Sequence, residues 1–246
     1  MFSLAKAEGY HMLHRLDFCA VSIVASIMTV LGAMFFFMMD ISFDGWKANF
    51  MGDVFRSGSF IIVIYVGFVS AYIMSDYFRY MLLNSEIITS NKMYRICGVH
   101  ALMVAMLIAI VFCFIVSIIS IIYKMITGEQ ACDCFIEKMI LLFFIIFRMG
   151  FVGVLHVFLF RNVFIAILLY LINQVMTIGL IFNVIELFTT GKMIVFTSLD
   201  QLKVLFQTMT FGENLKEIFL GTVIEVMIMG ILLYICYLWK GKRLYE

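Results

Sequence analysis

The chain has 246 residues, of which 65% are hydrophobic and only 13% charged, where an ordinary soluble domain has about 25% charged residues. Its formal net charge of +1 gives no electrostatic reason to expect a nucleic-acid partner. No proline occurs anywhere, so no residue forces a helix to kink.

Residues 1–17 place Phe2, Ala5, Met12, Leu13 and Leu16 on one helical face, with Lys6, His11, His14 and Arg15 elsewhere. That is the pattern of an interfacial helix lying on the cytoplasmic leaflet, with the two histidines facing headgroups. A frayed polar tail is the competing reading. Six apolar stretches follow, each matching the roughly 20 residues a helix needs to cross about 30 Å of hydrocarbon. Phe18–Met39, Ser57–Ser75, Ile96–Tyr123 (the span itself taken as 97–122) and Val163–Ile185 contain no Asp, Glu, Lys or Arg. Met139–Phe160 and Ile218–Trp239 contain one charge each. The runs are apolar all round, not alternating in ten-residue segments, which argues against a β-barrel. The expected fold is an all-α polytopic membrane protein: one transmembrane domain over 1–246, with six transmembrane helices. The first stretch lacks a small-residue cleavage site and is expected to stay as an anchor.

The joints carry the polar residues. Asp40–Arg56 is acidic and aromatic (Phe43, Trp46, Phe50, Phe55), suited to an external loop covering the bundle at the outer interface. Asp76–Arg95 runs twenty residues without proline or glycine, more than a simple connection needs. Tyr77, Tyr80, Met81 and Asn84 recur at helical spacing, and Ser90-Asn91 looks like a break and cap. A short helix, a turn near Thr89–Asn91 and the start of the next span are expected there. Two readings stand: a plain surface helix, or a helix that transmits force from a soluble partner. Cys132 and Cys134 stand one residue apart in a loop, too close for an ordinary bridge and without histidines to complete a metal set, so free thiols and no metal site are expected. Glu186–Glu217 contains Ser198-x-x-Gln201, a capping-box pattern, followed by a Leu202, Leu205, Phe206, Met209 stripe. It predicts an external amphipathic helix that lies at the outer interface or dips into the bundle as a re-entrant piece.

Lysines and arginines sort nine to seven between alternate joints, and the Lys240-Gly-Lys-Arg243 cluster abuts the last span, so both termini are expected to be cytoplasmic. Two charges lie inside spans, where each costs at least about 2.5–3.5 kcal/mol and calls for a partner or a role. Arg148 is nine residues into the fourth stretch, about 13 Å below its outer end, and Glu225 seven residues into the sixth, about 10 Å below. Similar depth predicts that both face the bundle interior, as an ion pair. Asn173 and Gln174 add polarity midway along the fifth stretch. A polar pathway and a structural link between helices are the two readings of this set. His100 and His156 fall nearer the cytoplasmic ends, as interfacial or helix-to-helix contacts.

No phosphate-binding loop occurs, since Gly191-Lys192 lacks the upstream glycine and the following hydroxyl. Neither His-Glu-x-x-His nor Gly-x-Ser-x-Gly is present. The two halves show no repeat, which lowers the case for an inverted-repeat transporter.

The opening Met1-Phe-Ser-Leu-Ala-Lys-Ala-Glu8, and the stretch from Ser75-Asp-Tyr through Asn84 to Ser90-Asn-Lys-Met-Tyr94, resemble the type-2 permeases of the ATP-binding cassette transporter family, particularly the small bacterial immunity-type subunits. Tyr80 stands where that family commonly has glycine, and Lys92 where arginine is usual. The resemblance covers the whole chain. It implies a multi-pass protein of the bacterial cytoplasmic membrane, with a coupling helix between spans two and three and helical re-entrant elements before span six. Asp76, Tyr77, Tyr80, Met81, Asn84, Glu86 and Asn91 would then contact a cytoplasmic ATPase dimer. That dimer would carry ATP and Mg, while this chain binds no cofactor and is not itself an enzyme. Its other partners would be a second permease subunit, identical or paralogous, and the lipid bilayer. The implied function is export of a peptide antibiotic, such as a lantibiotic or bacitracin, or of another drug or amphipathic substrate. The alternatives from other classes are a membrane sensor or assembly subunit, and a proton-coupled secondary transporter.

Overall fold

A computed structural model describes residues 16–40, 50–81, 93–160, 162–174, 198–207, 209 and 211–241. Among them there is no strand. The helices are α1 (Leu16–Asp40), α2 (Phe50–Met81), α3 (Met93–Thr127), α4 (Phe135–Phe160), α5 (Val163–Ile172), α6 (Ser198–Leu205) and α7 (Phe211–Gly241). Four of them, α1 to α4, are long and apolar enough to cross a membrane. The fifth expected span begins as α5, and its part beyond Gln174 lies outside the described residues. The sixth falls within the 31-residue α7.

Hydropathy located the four candidate spans but not the helix ends. α2 starts at Phe50, so the end of the expected external loop, Phe50–Arg56, is the first two turns of a helix. Asp53 in its first turn complements the positive helix terminus. Phe50 stacks on Tyr123 of α3 with ring centroids 4.3 Å apart, and Phe55 meets Phe206 at 4.5 Å. These aromatic contacts extend the helix beyond its apolar stretch. At the other end the expected separate coupling helix is, over Asp76–Met81, a continuation of α2, because no proline or glycine interrupts the backbone ladder there. Asn84, Glu86 and Asn91 lie outside the described residues. So does the proposed interfacial helix, apart from Leu16 and Asp17, which open α1.

α2 and α4 form the centre. Their apolar windows are 67% and 78% buried, against 33% for α1 and 39% for α3. α4 packs against α2, α3, α5, α6 and α7, and α2 against α1, α3, α4, α5 and α6. Small residues let these two approach their neighbours. A side chain on Gly58 of α2 would overlap Ala33 of α1, and one on Gly150 of α4 would lie 3.2 Å from Ala105 Cα of α3. Close contact of this kind is the main route to helix association where hydrocarbon removes the hydrophobic drive. Hydroxyls supplement it: Ser26 of α1 pairs with the Tyr65 hydroxyl of α2 at 2.5 Å.

The connections are tight where they are described. Gly128, at φ 75°, ends α3 in the left-handed conformation that glycine adopts freely. Asn162 caps α5, its side chain accepting from the Phe164 and Ile165 amides. α4 and α5 thus form a hairpin with almost no loop.

Candidate functional site: a buried polar cluster

The α4–α5 hairpin sets residues level by simple counting. Arg148 precedes Phe160 by twelve residues and Gln174 follows Asn162 by twelve, so each lies about 18 Å from the turn. α7 enters beside α4 and brings Glu225 to the same level. There Arg148 Nε is 3.2 Å from Glu225 Oε2, with side-chain exposures of 1% and 9%. The contact compensates charge without the alignment of a hydrogen bond. Gln174 Nε2 donates to Glu225 Oε1 at 3.2 Å. α5 widens into a π turn over Asn173–Gln174, a feature that often marks functional positions.

α6 completes the cluster. Arg148 Nη2 donates to Ser198 Oγ at 2.7 Å and to Gln201 Oε1 at 2.6 Å. Ser198 and Gln201, which the sequence presents as a local capping box, therefore spend their side-chain oxygens on a distant guanidinium. At the opposite end of α6, the buried Lys138 Nζ donates to Phe206 O at 2.7 Å. Lys138 and Arg148 are ten residues apart on α4, about 15 Å, and the eight residues of α6 cover about 12 Å. α6 thus lies antiparallel to the first half of α4, with its first turn deep in the bundle. Leu202, Leu205 and Phe206 are each 0% exposed, so the apolar stripe of α6 is packed against the rest of the bundle. Gln207 donates to Asp53 Oδ1 at 3.4 Å, tying the end of α6 to the start of α2.

Beneath Glu225 lies Tyr170 of α5. Its ring occupies a slot opened by two glycines: a Cβ on Gly67 would stand 2.5 Å from the ring, and one on Gly153 3.6 Å from it. His156 meets the same ring edge-on at 6.1 Å and turns Nδ1 to Val152 O at 2.8 Å.

The predicted site residues thus fall into two places. Arg148, Glu225 and Gln174 meet in one cluster, with Asn173 on the adjoining turn. Asp76, Tyr77, Tyr80 and Met81 lie at the far end of α2. Lys138, Tyr170, Ser198 and Gln201 were not among the sequence candidates. Tyr170 carried a usable signal, standing one turn before Gln174 on the same face. Among the described residues no group of His, Cys, Asp and Glu could hold a metal ion, and Cys19, Cys113, Cys132 and Cys134 are free thiols. No protein-family model, no curated protein and no solved structure matches the chain.

Proposed function

We propose that the chain is the membrane-spanning permease subunit of an ATP-driven transporter of the ATP-binding cassette type, exporting a peptide antibiotic, drug or similar amphipathic substrate. Six spans, cytoplasmic termini and a coupling joint at Asp76–Arg95 belong to this reading, as do a separate ATPase dimer and a second permease subunit. The observation that carries it is the reach of α2. This helix runs 32 residues, about 48 Å, without interruption. One end bears Asp76, Tyr77, Tyr80 and Met81, where the ATPase contact is placed. The other bears Asp53 and Phe55, which hold α6. A stiff rod joining a cytoplasmic contact to a helix buried in the outer half is what a pushed permease requires. α6 also stands directly ahead of the last span, where the resemblance implies a re-entrant element. In this mechanism closure of the ATPase dimer displaces α2, and α6 shifts against α4 to open the outer half. Covalent chemistry stays on the ATPase.

The test is purification of the chain from its native membrane in mild detergent. A stable cytoplasmic ATPase is expected to co-purify, and its consistent absence would sink the reading. Tyr80→Asp or Met81→Asp should leave the protein inserted while ATP hydrolysis no longer drives transport. Normal coupling in both variants would remove the contact from this end of α2.

A further inference from the structure

Hydrogen-bond donors outnumber acceptors around Glu225. Arg148 brings a guanidinium with five N–H bonds, and Gln174 donates its amide to Glu225 Oε1. The first turn of α6 adds the partial positive charge of its helix terminus. Two further donors are buried on α5 with no hydrogen-bond partner among the described residues: the Tyr170 hydroxyl and Asn173 Nδ2. Tyr170 is 1% exposed and lies within electrostatic reach of both Glu225 and Arg148. Tyr170, Asn173 and Gln174 stand at i, i+3 and i+4, on one face of α5. Ser198 Oγ and Gln201 Oε1 are acceptors, but a single guanidinium nitrogen engages both. One carboxylate therefore faces donors from two helices, α4 and α5, and two buried donors remain unsatisfied at a cost in free energy. The group that would satisfy them is an additional oxygen acceptor, and the neighbouring Arg148 guanidinium favours one that carries negative charge.

We propose that this place is an oxyanion site which Glu225 fills from within the chain, and that it takes the carboxylate or phosphate group of a molecule moving through the bundle. The incoming group exchanges with Glu225 on Arg148, so the guanidinium stays compensated throughout, and its remaining oxygens meet the Tyr170 hydroxyl and Asn173 Nδ2. That the ligand is cargo rests on the permease reading; that the site binds an oxyanion does not.

The test uses the purified full-length chain without any ATPase, so its outcome is separate from that of the co-purification experiment. In maltoside detergent, Glu225→Ala should melt below the unsubstituted protein. Sodium acetate or inorganic phosphate should recover more than half of the loss, whereas sodium chloride of equal ionic strength should recover none. Adding Arg148→Gln to Glu225→Ala should abolish the recovery. Adding Tyr170→Phe should raise the half-restoring acetate concentration about tenfold, the effect of one hydrogen bond to a charged group. Recovery by chloride alone, or equal recovery in the Arg148→Gln double variant, would overturn the site. Should Glu225→Ala fail to fold, Glu225→Gln keeps the shape and removes the charge. It should bind radiolabelled acetate about tenfold more tightly than the unsubstituted chain, and equal binding would again overturn the proposal. Nanodiscs of phosphatidylglycerol distinguish the sources. If Glu225→Ala is fully stable there without added anion, the ligand is lipid phosphate; if acetate is still required, it is a soluble or cargo oxyanion.

Discussion

The two halves of α4 hold their neighbours by different means. From Gly150 onward the helix packs through small residues: Gly150 against Ala105, and Gly153 against Ser70. From Arg148 back to Lys138 it holds α6 and α7 through charged donors and their acceptors. A glycine contact tolerates one geometry, because the facing atoms are already at contact distance. A guanidinium or ammonium can exchange one oxygen for another and stay compensated. The second half of α4 is therefore the fixed part of the bundle, and the first half is the part whose contacts can be exchanged.

The sharpest attack on this contrast is the ion pair. Arg148→Leu or Glu225→Leu alone leaves an uncompensated buried charge and should cost about 3–5 kcal/mol in unfolding measured in detergent. The double variant should recover much of that loss, though not all, since Ser198, Gln201 and Gln174 then lose their partners. Equal losses in both singles and additivity in the double would show that the pair is not coupled.

Glycine substitutions probe the fixed half. Gly67→Ala drives a methyl into the Tyr170 ring and should cost about 1–3 kcal/mol by overpacking. Gly98→Ala meets nothing within 4 Å and should be neutral or stabilising by about 0.5–1 kcal/mol. Thermal unfolding of the two proteins side by side checks this, and similar melting would mean that the close contacts are soft.

The exchangeable half is tested more gently at Lys138. Lys138→Met leaves the Phe206 carbonyl without its charged donor and should cost about 1–3 kcal/mol. A cysteine placed at the fully buried Leu205 should then react faster with maleimide than in the parent. Unchanged reactivity would mean that Lys138 does not hold α6 in place.

The smallest effect concerns the loop before α4. Cys134 is exposed and should be alkylated readily, while Cys132 is buried. Burial is the main cause pushing the Cys132 thiol up to about 11; Lys138 pulls it down, and Asp133 and Cys134 push it up. The thiolate is the reactive form, so labelling of Cys132 should rise about tenfold per pH unit up to that value. Comparable labelling of both thiols at neutral pH would show that the loop opens freely, weakening the case for an ordered start of α4 at Lys138.

Much of the cluster was legible beforehand. Arg148 and Glu225 were conspicuous because hydrocarbon makes a charge expensive, and their similar depth followed from residue counting. The same counting across the Arg161–Asn162 turn brings Gln174 to that level. Ser198 and Gln201 were not legible as site residues, because an oxygen that can cap its own helix is chemically the same oxygen that can accept from a guanidinium ten residues deeper than Lys138. Helix ends were missed for a related reason. Hydropathy measures what a segment tolerates around it, whereas Phe50–Arg56 is helical because of aromatic contacts with α3 and α6 that no local window contains. Lys138 gave no sequence signal of its role, since its acceptor is a carbonyl made available only by the end of α6.

The near-absent loop at Asn162 also has a consequence for the order of events during synthesis. Arg148 leaves the ribosome long before Glu225 exists, and for that interval its counter-charge is missing. The tight turn commits α4 and α5 to enter as a pair, so the first groups to arrive at Arg148's level are the hydroxyl and amides of Tyr170, Asn173 and Gln174. The arginine is thus chaperoned by its own hairpin until the last helix is made.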